Sequence, residues 1–293
     1  MKSLCWNVRG LGSSRAVRRL RFLIKQHHPQ LVFLMETKLN KQRMGTVRRR
    51  CGFDFGIEVE AEGSKGGLCL AWKKDLDVKL KSFSKWHIDV LIKEENVEED
   101  WKFTGFYGSP YSKDKNLVWD LLKRLAQESD YPWLVEGDFN EILYSFEKCG
   151  GIPRDSKRME VFRETLVDCQ LYDIGFSGVS YTWERGNLPE TNIRERLDRG
   201  VANEKWLTLF LSNTLQHLPY SISDHCPLLL ETNKRVTFTG GRKFHFEAWW
   251  TMEESLENVI RESWKKLMKE LEVLAGGIET MIQWLNSLIL KFI

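Results

Sequence analysis

An aspartate and an asparagine stand two positions apart in residues 137–140, Gly-Asp-Phe-Asn, directly after the short apolar run 133–135. Such a run is typical of a buried strand, so the sequence delivers both polar side chains at a strand end. The Asp138 carboxylate can orient or deprotonate a water, and the Asn140 amide can donate to a phosphoryl oxygen without adding negative charge. The pattern favours phosphate chemistry, but taken alone it also fits an ordinary strand-to-loop turn.

Polar residues recur at the ends of other predicted strands. Together with the pair above, the candidates are Asn7, Glu36, Tyr107, Asp138, Asn140, Asp224 and His225. Loops from different strands converge at the edge of a sheet sandwich, so residues far apart in sequence can line one cleft. Glu36, with one or both of Asn7 and Asp224, offers the hard oxygen ligands that Mg²⁺ prefers.

These residues support one hydrolytic mechanism. Asp138 would position the attacking water, while Asn140 and His225 donate to the non-bridging oxygens and a metal offsets the charge of the transition state. Asp198 is a natural partner for His225, because a carboxylate fixes the imidazole tautomer and raises its pKa above the reference of about 6.5.

Each of these residues also has a purely structural interpretation. His225 can be a hydrogen-bonded core histidine, and Tyr107 can be a core aromatic residue. Asp198 can be a turn or salt-bridge residue beside Arg196 and Arg199. The sequence pattern alone leaves both interpretations open for each residue.

The apolar pattern predicts many short strands and few helices. Strands are predicted over 4–8, 31–35, 66–72, 78–83, 88–92, 102–107, 133–138, 180–183, 196–201 and 226–231, helices over 15–28, 117–127 and 157–169, and a helix or loop over 38–50. Several strands follow one another in hairpin-like succession, which differs from a regular strand–helix repeat. We therefore predict an α/β sandwich of two packed sheets with helices outside.

The composition is that of a globular protein with a core, at 293 residues and 42% hydrophobic content. No apolar run is long enough to span a membrane and residues 1–7 lack the core of a signal peptide, so we expect a nuclear or cytoplasmic location. The six cysteines are never closer than 18 positions. This spacing disfavours a zinc site and favours reduced, mostly buried thiols.

Positive charge is concentrated near the N-terminus. Residues 1–50 hold 13 Lys or Arg and one acidic residue, Glu36, which gives a net charge of +12 in a chain whose total is +3. This asymmetry indicates a polyanionic partner near the segment, with a solvated helix face as the equal alternative.

The character of the sequence changes after residue 231. Residues 232–242 are polar and contain glycine, which is typical of a linker, and residues 253–271 and 276–292 have helical spacing. We therefore predict a folded domain over 1–232 and a linker with a helical tail over 233–293.

Seven ordered motifs resemble the endonuclease/exonuclease/phosphatase superfamily over about residues 1–231. They are Trp6-Asn7-Val8-Arg9-Gly10, Met35-Glu36-Thr37-Lys38, Tyr107-Gly108, Gly137-Asp138-Phe139-Asn140, Tyr181-Thr182-Trp183, Arg196-Leu197-Asp198-Arg199 and Ser223-Asp224-His225-Cys226-Pro227. The residues of these motifs are similar to those of the apurinic-type endonuclease domain of plant LINE-type, non-LTR retrotransposons. Residues 244–250, Phe-His-Phe-Glu-Ala-Trp-Trp, look like the linker that precedes the reverse transcriptase in those elements. The resemblance implies a chain truncated before that domain.

The resemblance implies a four-layered, DNase-I-like α/β sandwich and divalent-metal-dependent nicking of DNA, with Mg²⁺ or Mn²⁺ as cofactor and a 3′-hydroxyl as product. The roles that it implies are Asn7, Glu36 and Asp224 at the metal, Asp138 on the nucleophile, Asp198 paired with His225, and Tyr107, Asn140, Thr182 and Arg199 at the phosphate or leaving group. Two alternatives stay open: a small phosphomonoester or inositol-phosphate phosphatase of the same superfamily, and a catalytically silent retroelement remnant. We expect a monomer that binds DNA and no membrane.

Overall fold

The computed structural model of the chain describes residues 1–63, 65–95, 97–127, 130–186, 188, 190–220 and 222–232. The predicted linker and helical tail, residues 233–293, lie outside these residues, so the domain boundary at 232 stays a prediction. No helix within the described residues is both long and apolar enough to cross a membrane.

Sixteen strands and five α-helices form over the described residues. The strands are β1 Lys2–Asn7, β2 Leu31–Met35, β3 Phe55–Val59, β4 Leu68–Trp72, β5 Leu76–Ser84, β6 His87–Glu94, β7 Trp101–Tyr107, β8 Trp133–Asp138, β9 Lys148–Cys149, β10 Tyr172–Asp173, β11 Ser177–Gly178, β12 Trp183–Arg185, β13 Ile193–Glu195, β14 Asp198–Ala202, β15 Thr214–His217 and β16 Leu228–Glu231. The helices are α1 Ser14–His27, α2 Lys41–Arg50, α3 Lys115–Gln127, α4 Ser156–Asp168 and α5 Glu204–Leu209.

The strands build two large sheets and one small one. The seven-stranded sheet has the order β11-β15-β16-β1-β2-β4-β3, the six-stranded sheet has the order β10-β14-β8-β7-β6-β5, and β12, β13 and β9 form the small sheet. Most neighbouring strands are antiparallel, and the parallel pairs are β1–β2, β7–β8 and β11–β15. The carboxyl ends of β1 and β2 therefore lie side by side, as do those of β7 and β8.

The two large sheets share an apolar core. Side chains alternate between the two faces of a strand, so Cys5 of β1 points towards the other sheet while its neighbours Leu4 and Trp6 point towards the helices. Across the interface, Phe33 of β2 meets Phe103 of β7 edge-on, with ring centroids 6.4 Å apart. This packing fixes the position of one sheet against the other.

Helices cover the outer faces of both sheets. α1 and α2 lie on the seven-stranded sheet, and α3 and α4 lie on the six-stranded sheet. α1 buries residues at helical spacing, namely Ala16, Leu20, Leu23 and Ile24. It begins after Ser13, whose hydroxyl accepts the Ala16 N–H and caps the helix. The order helix, sheet, sheet, helix gives four layers and confirms the predicted fold class.

Seven elements are absent from the predictions: the two- and three-residue strands β9, β10, β11 and β13, and three elements that lack a strong pattern. β3 is half-exposed, β15 alternates polar residues with buried ones, and α5 has only six residues. The predicted strands are otherwise observed with ends shifted by a few residues. All six cysteines are free in the structure, and five of them are buried.

Candidate active site

Five strands bring polar residues to one edge of the two large sheets. β1 ends at Asn7, and Glu36 follows directly after β2. β7 ends at Tyr107 and β8 ends at Asp138. β14 runs antiparallel to β8, so that its first residue, Asp198, pairs with Asp138. These residues come from both sheets and form a single polar site.

Two glycines allow the ends of β7 and β8 to approach each other. A Cβ on Gly137 would lie 1.8 Å from the Phe106 carbonyl oxygen, and one on Gly108 would lie 2.2 Å from the Phe139 carbonyl oxygen. Any other residue at either position would push these backbone segments apart, so both glycines hold the geometry of the site.

Backbone strain is concentrated in the loops of the site. Four non-glycine residues there have positive φ angles: Arg9 at 47°, Glu36 at 50°, Lys38 at 54° and Asn140 at 53°. The other two such residues in the described chain lie just beyond helix ends. Because this conformation costs about 1 kcal/mol or more per residue, it persists where the surrounding contacts impose it, which is typical of functional sites.

Asp138 lies on the buried floor of the site and both of its carboxylate oxygens accept hydrogen bonds. The Asn7 side-chain amide donates to Oδ2 at 2.9 Å, and the Asn140 backbone N–H donates to Oδ1 at 2.8 Å. The His225 Nε2 atom is 3.8 Å from the same Oδ2. Asp138 is thus positioned by two elements and faces the imidazole.

His225 connects the two aspartates. Its Nδ1 lies 2.8 Å from Asp198 Oδ2, and an ionised carboxylate only accepts, so the proton is on Nδ1. The imidazole therefore presents Nε2 to Asp138. Asp138, His225 and Asp198, all nearly inaccessible to water, are referred to below as the Asp–His–Asp trio.

The charges within the trio shift its pKa values. Burial works against a charged imidazole, but the Asp198 and Asp138 carboxylates raise the pKa of His225 above its ordinary value. Burial and the Asp198 charge raise the pKa of Asp138, with His225 acting in the opposite direction. A protonated His225 and an ionised Asp138 therefore stabilise each other.

Thr182 supports the trio from the segment before β12. Its buried hydroxyl oxygen accepts the backbone N–H groups of Leu197 at 2.9 Å and Asp198 at 2.8 Å. These two bonds fix the point at which β14 begins. The hydroxyl thus helps to orient Asp198, and the phosphate contact that the resemblance implies for Thr182 stays a prediction.

Arg199 lies outside the site, which corrects its implied role as a substrate ligand. Successive side chains of a strand point to opposite faces, so Asp198 faces His225 and Arg199 faces the other way. The guanidinium is fully buried and donates to Glu147 Oε2 at 2.8 Å and Asp173 Oδ2 at 2.9 Å. Its donors are committed to these two carboxylates, and a substrate at the sheet edge does not reach them.

Glu36 is an ionised carboxylate at the mouth of the site. Its Oε1 accepts from the Tyr107 hydroxyl at 3.0 Å and from the Asn7 amide at 3.3 Å, and Lys38 Nζ is 3.4 Å from Oε2. Burial works against ionisation, but the hydrogen bonds from Tyr107 and Asn7 lower the pKa of Glu36 overall. Burial and the Glu36 charge raise the pKa of Tyr107, so the phenol stays a neutral donor.

Asp224 lies on the rim and is paired with a cation. Its Oδ2 accepts from Arg9 Nη1 at 2.7 Å and from the Trp183 indole at 3.0 Å. Arg9 also comes within 4.0 Å of Glu36, so it lies between the two rim carboxylates. The Asp224 side chain is 28% exposed. Its predicted role as a metal ligand stays a prediction.

The donor groups at the mouth of the site fit a hydrated divalent cation. Mg²⁺ keeps several waters and takes one or two carboxylates together with substrate oxygens, so it needs a partly open site. Glu36 meets this need, because it is an anionic carboxylate whose side chain is 17% exposed. The carbonyl oxygen of the Asn7 side chain lies beside it and accepts the Arg9 N–H at 3.2 Å.

The Asp–His–Asp trio is the one cluster of three potential ligands found within 4.8 Å of one another in the described chain. It fits a hydrated cation less well than the partly exposed Glu36 does. The trio is buried, and His225 Nδ1 is already occupied by Asp198. We therefore separate a metal-compatible mouth from a proton-handling floor.

Several residues of the site are absent from the sequence predictions. Arg9 and Trp183 neutralise and orient Asp224, and Ser223 accepts the His225 N–H while donating to the Asn7 carbonyl oxygen. These three residues stand inside the seven motifs, one or two positions from a candidate residue. That closeness in sequence is the signal by which they could have been found.

Lys115 supports the site from a distant position in the sequence. From the first turn of α3, its Nζ donates to the Asn140 carbonyl oxygen at 2.7 Å and to that of Phe139 at 3.3 Å. Burial lowers its pKa to about 8 although the Glu141 charge opposes the shift. The Asn140 side-chain amide donates to the Gly108 carbonyl oxygen at 2.9 Å. No sequence pattern connects Lys115 with the loop that it holds.

Two facing sheets with helices outside define a DNase-I-like α/β sandwich, here with a polar site at one edge. The sequence profile of the endonuclease/exonuclease/phosphatase family matches residues 4–225, and the chain belongs to this family. The match includes every candidate residue from Asn7 to His225. No curated protein matches the sequence.

Solved structures with the same fold include the endonuclease domain of TRAS1, a telomere-specific non-LTR retrotransposon, at 16% identity and a TM-score of 0.59, covering 78% of this chain and 96% of that one. The 3′-5′ exonuclease NExo from Neisseria meningitidis is 18% identical with a TM-score of 0.59, covering 79% and 99%. The AP endonuclease LMAP from Leishmania major is 17% identical with a TM-score of 0.59, covering 78% and 86%. At these identities the similarity shows a common fold.

Proposed function

We propose that this chain is a divalent-metal-dependent endonuclease that hydrolyses one phosphodiester bond of DNA and leaves a 3′-hydroxyl. The observation that carries the proposal is the Asp–His–Asp trio separated from the ionised Glu36 by a single side chain, that of Asn7. Asn7 joins the two parts, since its amide donates to both Asp138 and Glu36.

Asp138 acts on the attacking water. Its position at the end of β8, with Oδ2 held by Asn7, lets it orient the water and accept its proton. His225, kept charged by Asp198, stabilises the ionised form of Asp138 and provides positive charge for the non-bridging oxygens of the phosphate. Tyr107 and Asn140 contribute neutral donors that bring no further negative charge to the site.

Glu36 and Asn7 are the residues that would hold Mg²⁺, with Mn²⁺ as a substitute and Asp224 as a further carboxylate nearby. When bound, the ion supplies Lewis-acid stabilisation of the charge that develops on the phosphate. The two rim cations, Arg9 and Lys38, already direct positive charge towards the Glu36 side of the site. A phosphate group is therefore electrostatically favoured there.

We assign DNA as the substrate. We also assign the sequence to a LINE-type retroelement of the plant type. The residues of the seven motifs support this origin, and the fold shared with the TRAS1 endonuclease domain is consistent with it. AP endonucleases have the same fold. The Tyr181–Thr182–Trp183 motif and Arg199 match the retroelement pattern better than the repair pattern, so target-site nicking is favoured over repair of abasic sites.

The test is incubation of the purified chain with supercoiled plasmid, with Mg²⁺ and with EDTA. We expect relaxed circles in Mg²⁺, no reaction in EDTA, and nicks that a DNA polymerase extends without prior treatment, since extension requires a 3′-hydroxyl. Asp138→Asn from the same preparation procedure is the control for a contaminating nuclease. Intact plasmid together with release of phosphate from a small phosphomonoester would favour a phosphatase. A folded chain without either activity would indicate a silent remnant.

A further inference from the structure

A groove with a cavity volume of about 740 Å³ lies between α1 and α2, outside the site described above. Its apolar residues are Leu11, Val17, Leu39 and Val47, and its arginines are Arg18, Arg21, Arg43 and Arg50. Arg18 and Arg21 come from α1, and Arg43 and Arg50 come from α2, so positive charge borders the groove on both sides. These eight residues define the arginine groove.

The positive charge of the arginine groove is not neutralised by the surrounding residues. Neither α1 nor α2 contains an acidic residue, and none lines the cavity. All four arginines are exposed, and no ion pair to them forms within the described part of the chain. Arg48 of α2 shows the contrast, because it is mostly buried and pairs with Glu58 at 2.7 Å. The groove thus retains a charge that an external anion can meet.

The arginine groove continues from the edge that carries the active site. The loop before α1 starts directly after Asn7, and the loop before α2 starts directly after Glu36. β1 and β2 are parallel neighbours, so these loops leave the sheet side by side, and the Leu11 N–H joins them by donating to the Thr37 carbonyl oxygen at 3.0 Å. A polymer that passes the site can therefore follow the groove.

We infer that the arginine groove binds the sugar-phosphate backbone of DNA beyond the bond that is cut. The inference rests on the proposed function and extends it from the reacting phosphate to a longer stretch of substrate. Guanidinium groups on both walls offer several separate contacts for the phosphates of a strand, and planar bidentate donors suit phosphate oxygens. The apolar floor accepts the deoxyribose carbons, which a free inorganic phosphate lacks. Charge on both walls also exceeds what one small anion needs.

The experiment compares two double variants of the full chain in the inactive Asp138→Asn background. Arg18→Ala with Arg43→Ala removes one arginine from each wall of the groove. Arg15→Ala with Arg49→Ala removes the same charge from the same two helices, at exposed positions that do not line the cavity. Alanine is the best helix former, so neither variant weakens its helix. Kd for a long duplex is measured by gel shift across a range of salt concentrations.

We expect the groove variant to raise Kd for DNA on the order of tenfold and to reduce the salt-dependence slope by about 2, because each lost phosphate contact contributes about 0.9. The control variant should change both values much less. A duplex short enough to cover only the cut should bind both variants alike. Equal losses in the two variants, or no loss in either, would overturn the inference. Competition by a poly-glutamate peptide is the further control. If the peptide displaces DNA as well as unlabelled DNA does, and only the groove variant loses this displacement, the inference is overturned in favour of an acidic protein partner.

The outcome is separable from that of the proposed function. A chain that fails to nick plasmid, yet loses DNA affinity selectively in the groove variant, keeps the groove and refutes the nuclease. With an active Asp138, unchanged plasmid nicking and unchanged Kd in the groove variant keep the nuclease and refute the groove.

Discussion

Two buried charged clusters begin at consecutive residues of β14. Asp198 belongs to the Asp–His–Asp trio. Arg199 belongs to a cluster of two arginines and two carboxylates, namely Arg196, Arg199, Glu147 and Asp173. The second set is referred to below as the arginine–carboxylate cluster. Both clusters consist of charged side chains that are mostly buried, but they lie on opposite faces of the strand.

Charge balance separates the two clusters. The arginine–carboxylate cluster has two positive and two negative groups, and despite burial Arg196 and Arg199 lower the pKa of Asp173 far below its ordinary value. The trio has two carboxylates for one imidazole, and burial together with Asp198 raises the pKa of Asp138. A balanced cluster holds its protons fixed and serves the fold. An unbalanced one holds a proton that can move, which suits catalysis.

The largest effect is expected from Asp138→Asn, which removes the carboxylate that we propose accepts the proton of the attacking water. An amide cannot accept a proton from water, so plasmid nicking should fall by about 10²–10⁴-fold. DNA affinity should hold or rise slightly, because the change removes negative charge from the site that we propose binds the phosphate. Nicking and gel shift on one preparation check both expectations. Retained nicking would remove Asp138 from the mechanism.

Arg199→Met tests the other side of the strand. The change leaves Glu147 and Asp173 buried with one cation fewer, and breaking a buried ion pair in this way costs about 3–5 kcal/mol. We expect that loss in denaturant unfolding, with near-normal specific activity in the fraction that stays folded. A stable variant with impaired nicking would contradict the division of labour and restore Arg199 as a site residue.

The link between Asp198 and His225 is tested by a double-mutant cycle. Asp198→Asn and His225→Gln should each reduce nicking by about 10²-fold, and the double variant little further, because residues that act as a unit are not additive. Asp198→Asn should also move the alkaline limb of the pH–rate profile to lower pH, since the Asp198 charge raises the pKa of His225. Multiplicative losses with an unmoved profile would show that the two residues act independently.

Glu36→Gln tests whether the mouth of the site holds the metal. Loss of the anionic ligand should increase the Mg²⁺ concentration needed for half-maximal nicking by about 10–100-fold, with an unchanged unfolding midpoint. The Tyr107 phenol can still donate to the side-chain amide oxygen that the substitution introduces, so we expect the local structure to be kept. Asp224→Asn under the same conditions shows whether the second rim carboxylate also contributes. An unchanged Mg²⁺ requirement in both variants would exclude a metal at the mouth.

The sequence predicts the fold well where apolar patterns are strong. The apolar runs of β2 and β8 form strands where they are predicted, and Asp138 is the last residue of β8, as the pattern predicts. A half-exposed edge strand such as β3 carries no such pattern, because its side chains are only partly buried. Local sequence is therefore informative about buried strands and weak at the margins of the sheets.

For the site, the sequence supplies the residue types but not their partners. Asp198 and Arg199 stand side by side in one motif, and only the pairing of β14 with β8 shows that one faces His225 and the other faces Asp173. Lys115 holds the Asn140 loop across 25 positions of sequence, with no local signal. Contacts that form between distant segments are decided by topology, and a single sequence does not display them.

Glu136 provides the smallest expected effect and the sharpest test of charge balance, because it is a buried carboxyl without any cation. It lies on β8 two residues before Asp138 and on the same face, with Ser3 donating to Oε2 at 2.9 Å and no partner for Oε1 among the described residues. Burial raises the pKa of Glu136 to about 8, with the Ser3 hydrogen bond acting in the opposite direction. The folded state therefore holds a proton that the unfolded chain releases near pH 4.5, and stability falls as the pH rises from about 4.5 to about 8. Glu136→Gln removes this titration, so the variant should match the unmodified chain near pH 5 and exceed its stability by about 1–3 kcal/mol at pH 8.5, with nicking unchanged. Denaturant unfolding at the two pH values measures the difference. A constant difference across that range would mean that Glu136 is already ionised in the folded state, and that a buried carboxylate in this protein needs no cation to keep its charge.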